Sequence, residues 1–171
     1  MSADSRLGLT VTHQRYVPYS HAHYGGSLVD GAYVLGLFGD VATEACIRTD
    51  GDEGLFASYS DVQFLAPVRA GDVLAVSATV TRVGTRSREL SFSARVLCRA
   101  RPDHGPSAAE VLAEPVVAVT ATGTVVVPSA WPGRATARRS GLPRRRRRRF
   151  PRRRSARARP GSALRAGRLT R

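Results

Sequence analysis

One long helical pattern, from Ser27 to about Arg48, is followed only by strand patterns as far as Val127, and this imbalance restricts the architecture more than any other feature. At about 100° per residue, Asp30, Tyr33, Val34, Leu37, Val41, Glu44 and Arg48 fall on one mostly apolar side of the helix. Gly31, Ala32, Gly36, Gly39, Ala42, Thr43 and Cys46 make a face of small residues opposite. The interior glycines cost a helix roughly 2 to 3 kcal/mol against alanine, so a surface packed closely against that face is expected to compensate. A sheet wrapped around the helix meets this requirement.

The strand patterns are those of hairpins. Leu7 to Val17 alternates before the helix, and Phe56 to Val68, Val73 to Val83, Ser87 to Leu97 and Leu112 to Val127 follow it with short connections. Pro115 marks an edge or a bulge at the start of the last strand. The expectation is an α+β fold, an antiparallel sheet of about five strands curled around one long central helix. Its outer face and edges need cover, which predicts a homodimer or a higher homo-oligomer.

The segment leading into the helix carries the candidate chemistry. It reads His21-Ala22-His23-Tyr24-Gly25-Gly26-Ser27-Leu28-Val29-Asp30. Ser27 followed three residues later by Asp30 has the spacing of a capping box, which makes Ser27 the expected N-cap. Gly25 and Gly26 lack Cβ atoms and allow the backbone to approach a ligand, beside the unpaired N–H groups of a helix start. Glu44 within the apolar stripe, with Asp40 at its edge, is expected to have a raised pKa. The acidic run Asp50-Gly51-Asp52-Glu53-Gly54 lacks the ligand spacing of a calcium loop and reads as a turn, and no metal site is expected. His104, beside Asp103 in a polar loop, reads as solvent-facing.

Charge divides the chain. Residues 1–133 contain ten arginines against thirteen acids, whereas residues 134–171 contain seventeen arginines and no acid. The first part is a mildly acidic domain, and the second is expected to be a disordered Arg-rich tail. All 27 basic residues are arginine, a composition that GC-rich coding gives when read out of frame or past a lost stop, so a readthrough or frameshift origin of the tail is the expectation. With Phe150 alone among the arginines, there is little on which bases can stack, and any nucleic-acid binding is expected to be non-specific. Cys46 and Cys98 have no metal-ligand spacing, and no long apolar run is present. A reducing, cytoplasmic setting without membrane association follows.

His23-Tyr24-Gly25-Gly26, Leu28 to Ala32, Leu37 to Glu44, Asp50 to Phe56, Phe64 to Val68 and Ala70-Gly71-Asp72 resemble the 3-aminobutyryl-CoA and β-alanyl-CoA ammonia-lyases, a branch of the hotdog fold and thioesterase superfamily. The resemblance covers about Thr12 to Val127 and departs at Gln63, where relatives carry an acid. It implies a carbon–nitrogen lyase that eliminates ammonia from, or adds it to, a short β-amino acyl-CoA. Coenzyme A enters only as part of the substrate, and no cofactor is implied. On this reading Gly25, Gly26 and Ser27 hold the thioester oxygen, and Glu44 or Asp40 is the base. His23 shuttles a proton or orients the amine, and His21, Tyr24, Asp30, Tyr59 and Gln63 bind substrate. A hotdog acyl-CoA thioesterase and a non-catalytic acyl-CoA-binding protein are the alternatives.

Overall fold

The computed structural model describes residues 4–128. The Arg-rich tail expected from residue 134 lies outside the described residues. The elements are β1 (Thr10–Tyr16), β2 (Ala22–Tyr24), β3 (Leu28–Val29), α1 (Gly31–Asp50), β4 (Leu55–Phe64), β5 (Val73–Val83), β6 (Ser87–Ala100) and β7 (Ala109–Val126). Single turns of 3-10 helix, Tyr19–His21 and Gly25–Ser27, flank β2. Five strands form one antiparallel sheet in the order β1-β5-β6-β7-β4, and β2 pairs with β3 in a small ribbon. This is the hotdog arrangement of one helix against a five-stranded sheet.

The core lies between α1 and the sheet. Val34, Phe38, Val41, Ala42, Ala45 and Cys46 are the buried residues of the helix, and Phe38 stacks on Phe92 of β6 with ring centroids 5.0 Å apart. This corrects part of the expected packing: Ala42 and Cys46 of the small-residue face are buried and Gly31 meets Phe64, but Gly36 and Gly39 are not packed over. The helix turns toward the sheet the face holding Phe38, and Gly36 and Gly39 have open space where a Cβ would stand. One phenylalanine ring buries far more apolar area than a row of glycines, so it sets the rotation of the rod.

The helix start is also corrected. Asp30, not Ser27, is the N-cap: its backbone is extended and its Oδ1 accepts the Tyr33 N–H at 2.8 Å. Ser27 instead has φ 61°, in the left-handed region, next to Gly26 at 69°. Two successive left-handed residues turn the chain back into β3 and delay the helix. At the far end Gly51 takes φ 67° and its N–H returns to the Ile47 carbonyl, an αL cap. Asp50 stands at the negative end of the helix dipole, and the Arg88 guanidinium, only 3% exposed, offsets this by gripping its carboxylate. Arg6 reaches the same carboxylate at 3.1 Å and ties the N-terminal segment beneath the helix.

The outer face of the sheet is paved with small hydroxyls. One row crosses all five strands through Thr10, Thr79, Ser91, Thr122 and Ser60, with the Thr10 and Thr79 hydroxyls 2.8 Å apart.

Candidate active site

A recess of about 250 Å³ opens at the start of α1. Val29, Val34, Phe64, Val68 and Val119 give it apolar walls, and Asp30 is the one carboxylate on its lining. The Val29 N–H donates to the Val68 carbonyl at 3.0 Å, and the Leu65 and Ala66 N–H groups both donate to the Ala118 carbonyl. The walls are thus pinned by backbone. Gly31 is the floor under Phe64: a Cβ there would lie 2.6 Å from Phe64 Cε1. The helix therefore begins on a residue with no side chain, and the ring closes over it.

Asp30 has two tasks available to it. Oδ1 caps the helix, which fixes the rotamer and leaves the second oxygen able to accept from a ligand. His21 lies against the Tyr33 ring with centroids 4.5 Å apart, which brings an imidazole to the first turn of the helix. Burial raises the pKa of the Tyr33 phenol. His23 and Tyr24 are exposed and stand edge to face, 4.5 Å apart.

The other expected site residues are not gathered there. Glu44 accepts from His13 of β1 at 2.5 Å and from Arg48 Nε at 2.7 Å, and its pKa is lowered, first by His13 and then by Arg48. The expected rise fails because the side chain leaves the apolar stripe at its margin, where two donors meet it. Asp40 is exposed and faces Arg15 at 3.5 Å. At about 1.5 Å per residue the two carboxylates stand about 15 and 20 Å along the rod from Asp30, beyond reach of the recess in their own chain. Gly25, Gly26 and Ser27 form a 3-10 turn of their own, separated from the helix by β3. Tyr59 does not line the recess. Its hydroxyl donates to the Leu35 carbonyl at 2.7 Å, and burial pushes its pKa up to about 12. Gln63 is exposed on the edge strand and donates to Asp61 at 3.1 Å.

Sequence reading missed Phe64 and Val119 as walls and His13 as the partner of Glu44. The early signal for Phe64 was its place in the Phe64 to Val68 stretch that carries the family resemblance. Among the described residues no group of three His, Cys, Asp or Glu side chains is gathered to hold a metal.

One long helix against a five-stranded antiparallel sheet defines a hotdog protein, and residues 27–98 match the thioesterase superfamily. The hexameric hotdog thioesterase of Campylobacter jejuni shares the fold at 17% identity and TM-score 0.55, over 68% of this chain and 81% of that one. Two relatives are nearer. The 3-aminobutyryl-CoA ammonia lyase of Acetoanaerobium sticklandii is 54% identical over 107 residues, 63% of this chain and 85% of that protein. The β-alanyl-CoA:ammonia lyase from Clostridium propionicum superposes with TM-score 0.67 at 34% identity, over 71% of this chain and 86% of that one. The chain belongs to this family of acyl-CoA ammonia lyases.

Proposed function

We propose that the protein is a carbon–nitrogen lyase that removes ammonia from, or adds it to, a short β-amino acyl-CoA thioester, with Asp30 as its base. One observation carries the reading: a chain 54% identical to a 3-aminobutyryl-CoA ammonia lyase has an acyl-sized apolar recess with a single carboxylate on its lining. The acyl chain lies against Val34, Phe64 and Val119, and the thioester oxygen faces the start of α1. N–H groups aimed there stabilise the enolate more than the ground state, a contribution of several kcal/mol in comparable sites.

The proton balance closes on one group. The free oxygen of Asp30 takes the α-proton, the C–H electron pair becomes the new C=C bond, and the C–N bond breaks to release NH₃ from the substrate's ammonium. The protonated Asp30 then gives its proton to NH₃, which departs as NH₄⁺ and restores the carboxylate. His21 lies against Tyr33 at the first turn of the helix, where an imidazole can orient the amine. Neither step uses a metal or a further cofactor.

Self-association is part of the reading. Leu55 and Phe64 are exposed on β4, an edge strand whose free backbone groups suit pairing with a second copy. Among the described residues no helix is long and apolar enough to cross a membrane, and both Cys46 and Cys98 are free thiols, in keeping with a cytoplasmic enzyme.

Incubation with crotonyl-CoA and ammonium tests the assignment. Formation of an amine adduct, followed by mass spectrometry, is the expected result. Release of free CoA thiol without adduct would assign the recess to a thioesterase, and binding without turnover would assign it to a carrier.

A further inference from the structure

A second groove lies on the other side of the ribbon that walls the acyl recess. Two adjoining cavities of about 320 and 280 Å³ share Tyr19, Ala100, Pro102 and Pro106. The first is bounded by Gly26, Ser27 and Arg69, and the second by Tyr16 and the tip of the β6–β7 hairpin. The groove is rigidly built. The Ala70 N–H donates to the Ser27 carbonyl at 2.8 Å, the Gly71 N–H donates to the Val17 carbonyl at 2.8 Å, and Leu28 bridges to Arg69. Gly71 takes φ 89°, and a Cβ on it would lie 2.8 Å from the Tyr19 hydroxyl, so Tyr19 is seated directly on that glycine.

Its charge is selective. No carboxylate lines either cavity. The neighbouring Arg99 and Arg101 are held by Asp72, Asp103 and Glu110, whereas the Arg69 guanidinium has no acidic partner among the described residues. Arg69 is exposed on the rim, while Tyr16 and Tyr19 present more than half of their surface to solvent. A guanidinium without an acidic partner and two exposed tyrosines, on a groove that no carboxylate lines, suit a ligand that joins phosphate to a planar base.

We propose that this groove binds the nucleotide end of the coenzyme A thioester, with Arg69 on its phosphates and Tyr19 against its adenine. The inference rests on the acyl-CoA reading above. Position supports it: Val29 and Val68 line the acyl recess, while Ser27, two residues before Val29, and Arg69, next to Val68, line the groove. One ligand can therefore hold both sides of the ribbon, with the pantetheine arm crossing between them.

Calorimetry of the full chain with free CoA and with adenosine 3′,5′-bisphosphate measures this without any reaction. Arg69→Ala is expected to weaken both about ten- to a hundredfold, the loss of one or two charge-assisted hydrogen bonds. Arg69→Lys should recover part of the affinity, and thermal unfolding should be unchanged, since the side chain has no hydrogen-bond or ion-pair partner to lose among the described residues. In turnover, Arg69→Ala should raise KM for the CoA thioester with kcat intact and leave the corresponding pantetheine thioester unaffected. Equal CoA binding by wild type and Arg69→Ala overturns the groove while leaving the lyase reading standing. Failure of wild type to bind CoA overturns both, and CoA binding that depends on Arg69 without amine chemistry overturns only the lyase.

Discussion

Replacing Asp30 by Asn separates folding from chemistry at one atom. The capping oxygen survives, because an asparagine carbonyl can accept the Tyr33 N–H that Oδ1 now takes at 2.8 Å. Asn and Asp are nearly equivalent N-caps, so the capping loss is a few tenths of a kcal/mol. Removing a negative charge from the helix start costs about 0.3 to 1 kcal/mol more. Asp30→Asn should therefore lower stability by about 1 kcal/mol or less, read as a shift in urea midpoint at constant slope. Asp30→Ala loses the cap as well and should cost about 1 to 2 kcal/mol. The amide cannot take the α-proton, and loss of a positioned general base lowers turnover roughly 10²- to 10⁴-fold. Both variants should then be equally inactive in crotonyl-CoA amination although they differ in stability. Full turnover in Asp30→Asn would reduce Asp30 to a cap and end the mechanism. Loss of turnover in a folded Glu44→Gln, with Asp30→Asn active, would move the base to a carboxylate reaching in from a neighbouring copy.

Four further outcomes follow. Phe38→Ala removes a fully buried ring stacked on Phe92 and should cost about 3 to 5 kcal/mol in denaturant unfolding. Gly31→Ala places a methyl 2.6 Å from the Phe64 ring, whose exposed tip can swing aside, so the expected effect is a raised KM with stability changed by about 1 kcal/mol or less. Glu44 has a depressed pKa in the folded state, so its contribution to stability is complete above the ordinary carboxylate range and is lost as pH falls through the folded value. Glu44→Gln should be less stable than wild type at neutral pH, and the gap in unfolding midpoint should close in acid. Truncation before Arg134 should leave amination unchanged and abolish salt-sensitive retention on DNA.

The fold was legible because its signals are periodic. Val73 to Val83 alternates along its whole length and matches β5 residue for residue, and β6 and β7 differ from their expected spans only at the ends. The helix was legible in length and hidden in rotation, since Leu37 and Phe38 are adjacent and only the partner ring of Phe92 shows which points inward. The site was legible only in part. His21 and Asp30 sit within the helix-entry segment that the sequence singles out, whereas Gly31 reads only as part of the small-residue face. Phe64 and Val68 come from one stretch and Val119 from another, and their meeting depends on strand order, which no local pattern encodes. Ser27 misled because its spacing to Asp30 fits a capping box, while the preceding Gly26 already commits the chain to a left-handed turn. Glu44 misled because a stripe drawn on a helix has no margin, and at that margin His13 waits on a strand thirty-one positions earlier.

The hydroxyl-paved face of the sheet has a consequence for how such molecules assemble. Threonine and serine side chains are short, neutral and able to turn their protons either way, so a lattice of them is nearly indifferent to whether water or another lattice lies above it. A surface of that kind gives little preference for any particular stacking and little penalty for abandoning one. Subunit number can then drift between relatives while the chamber around the helix stays the same.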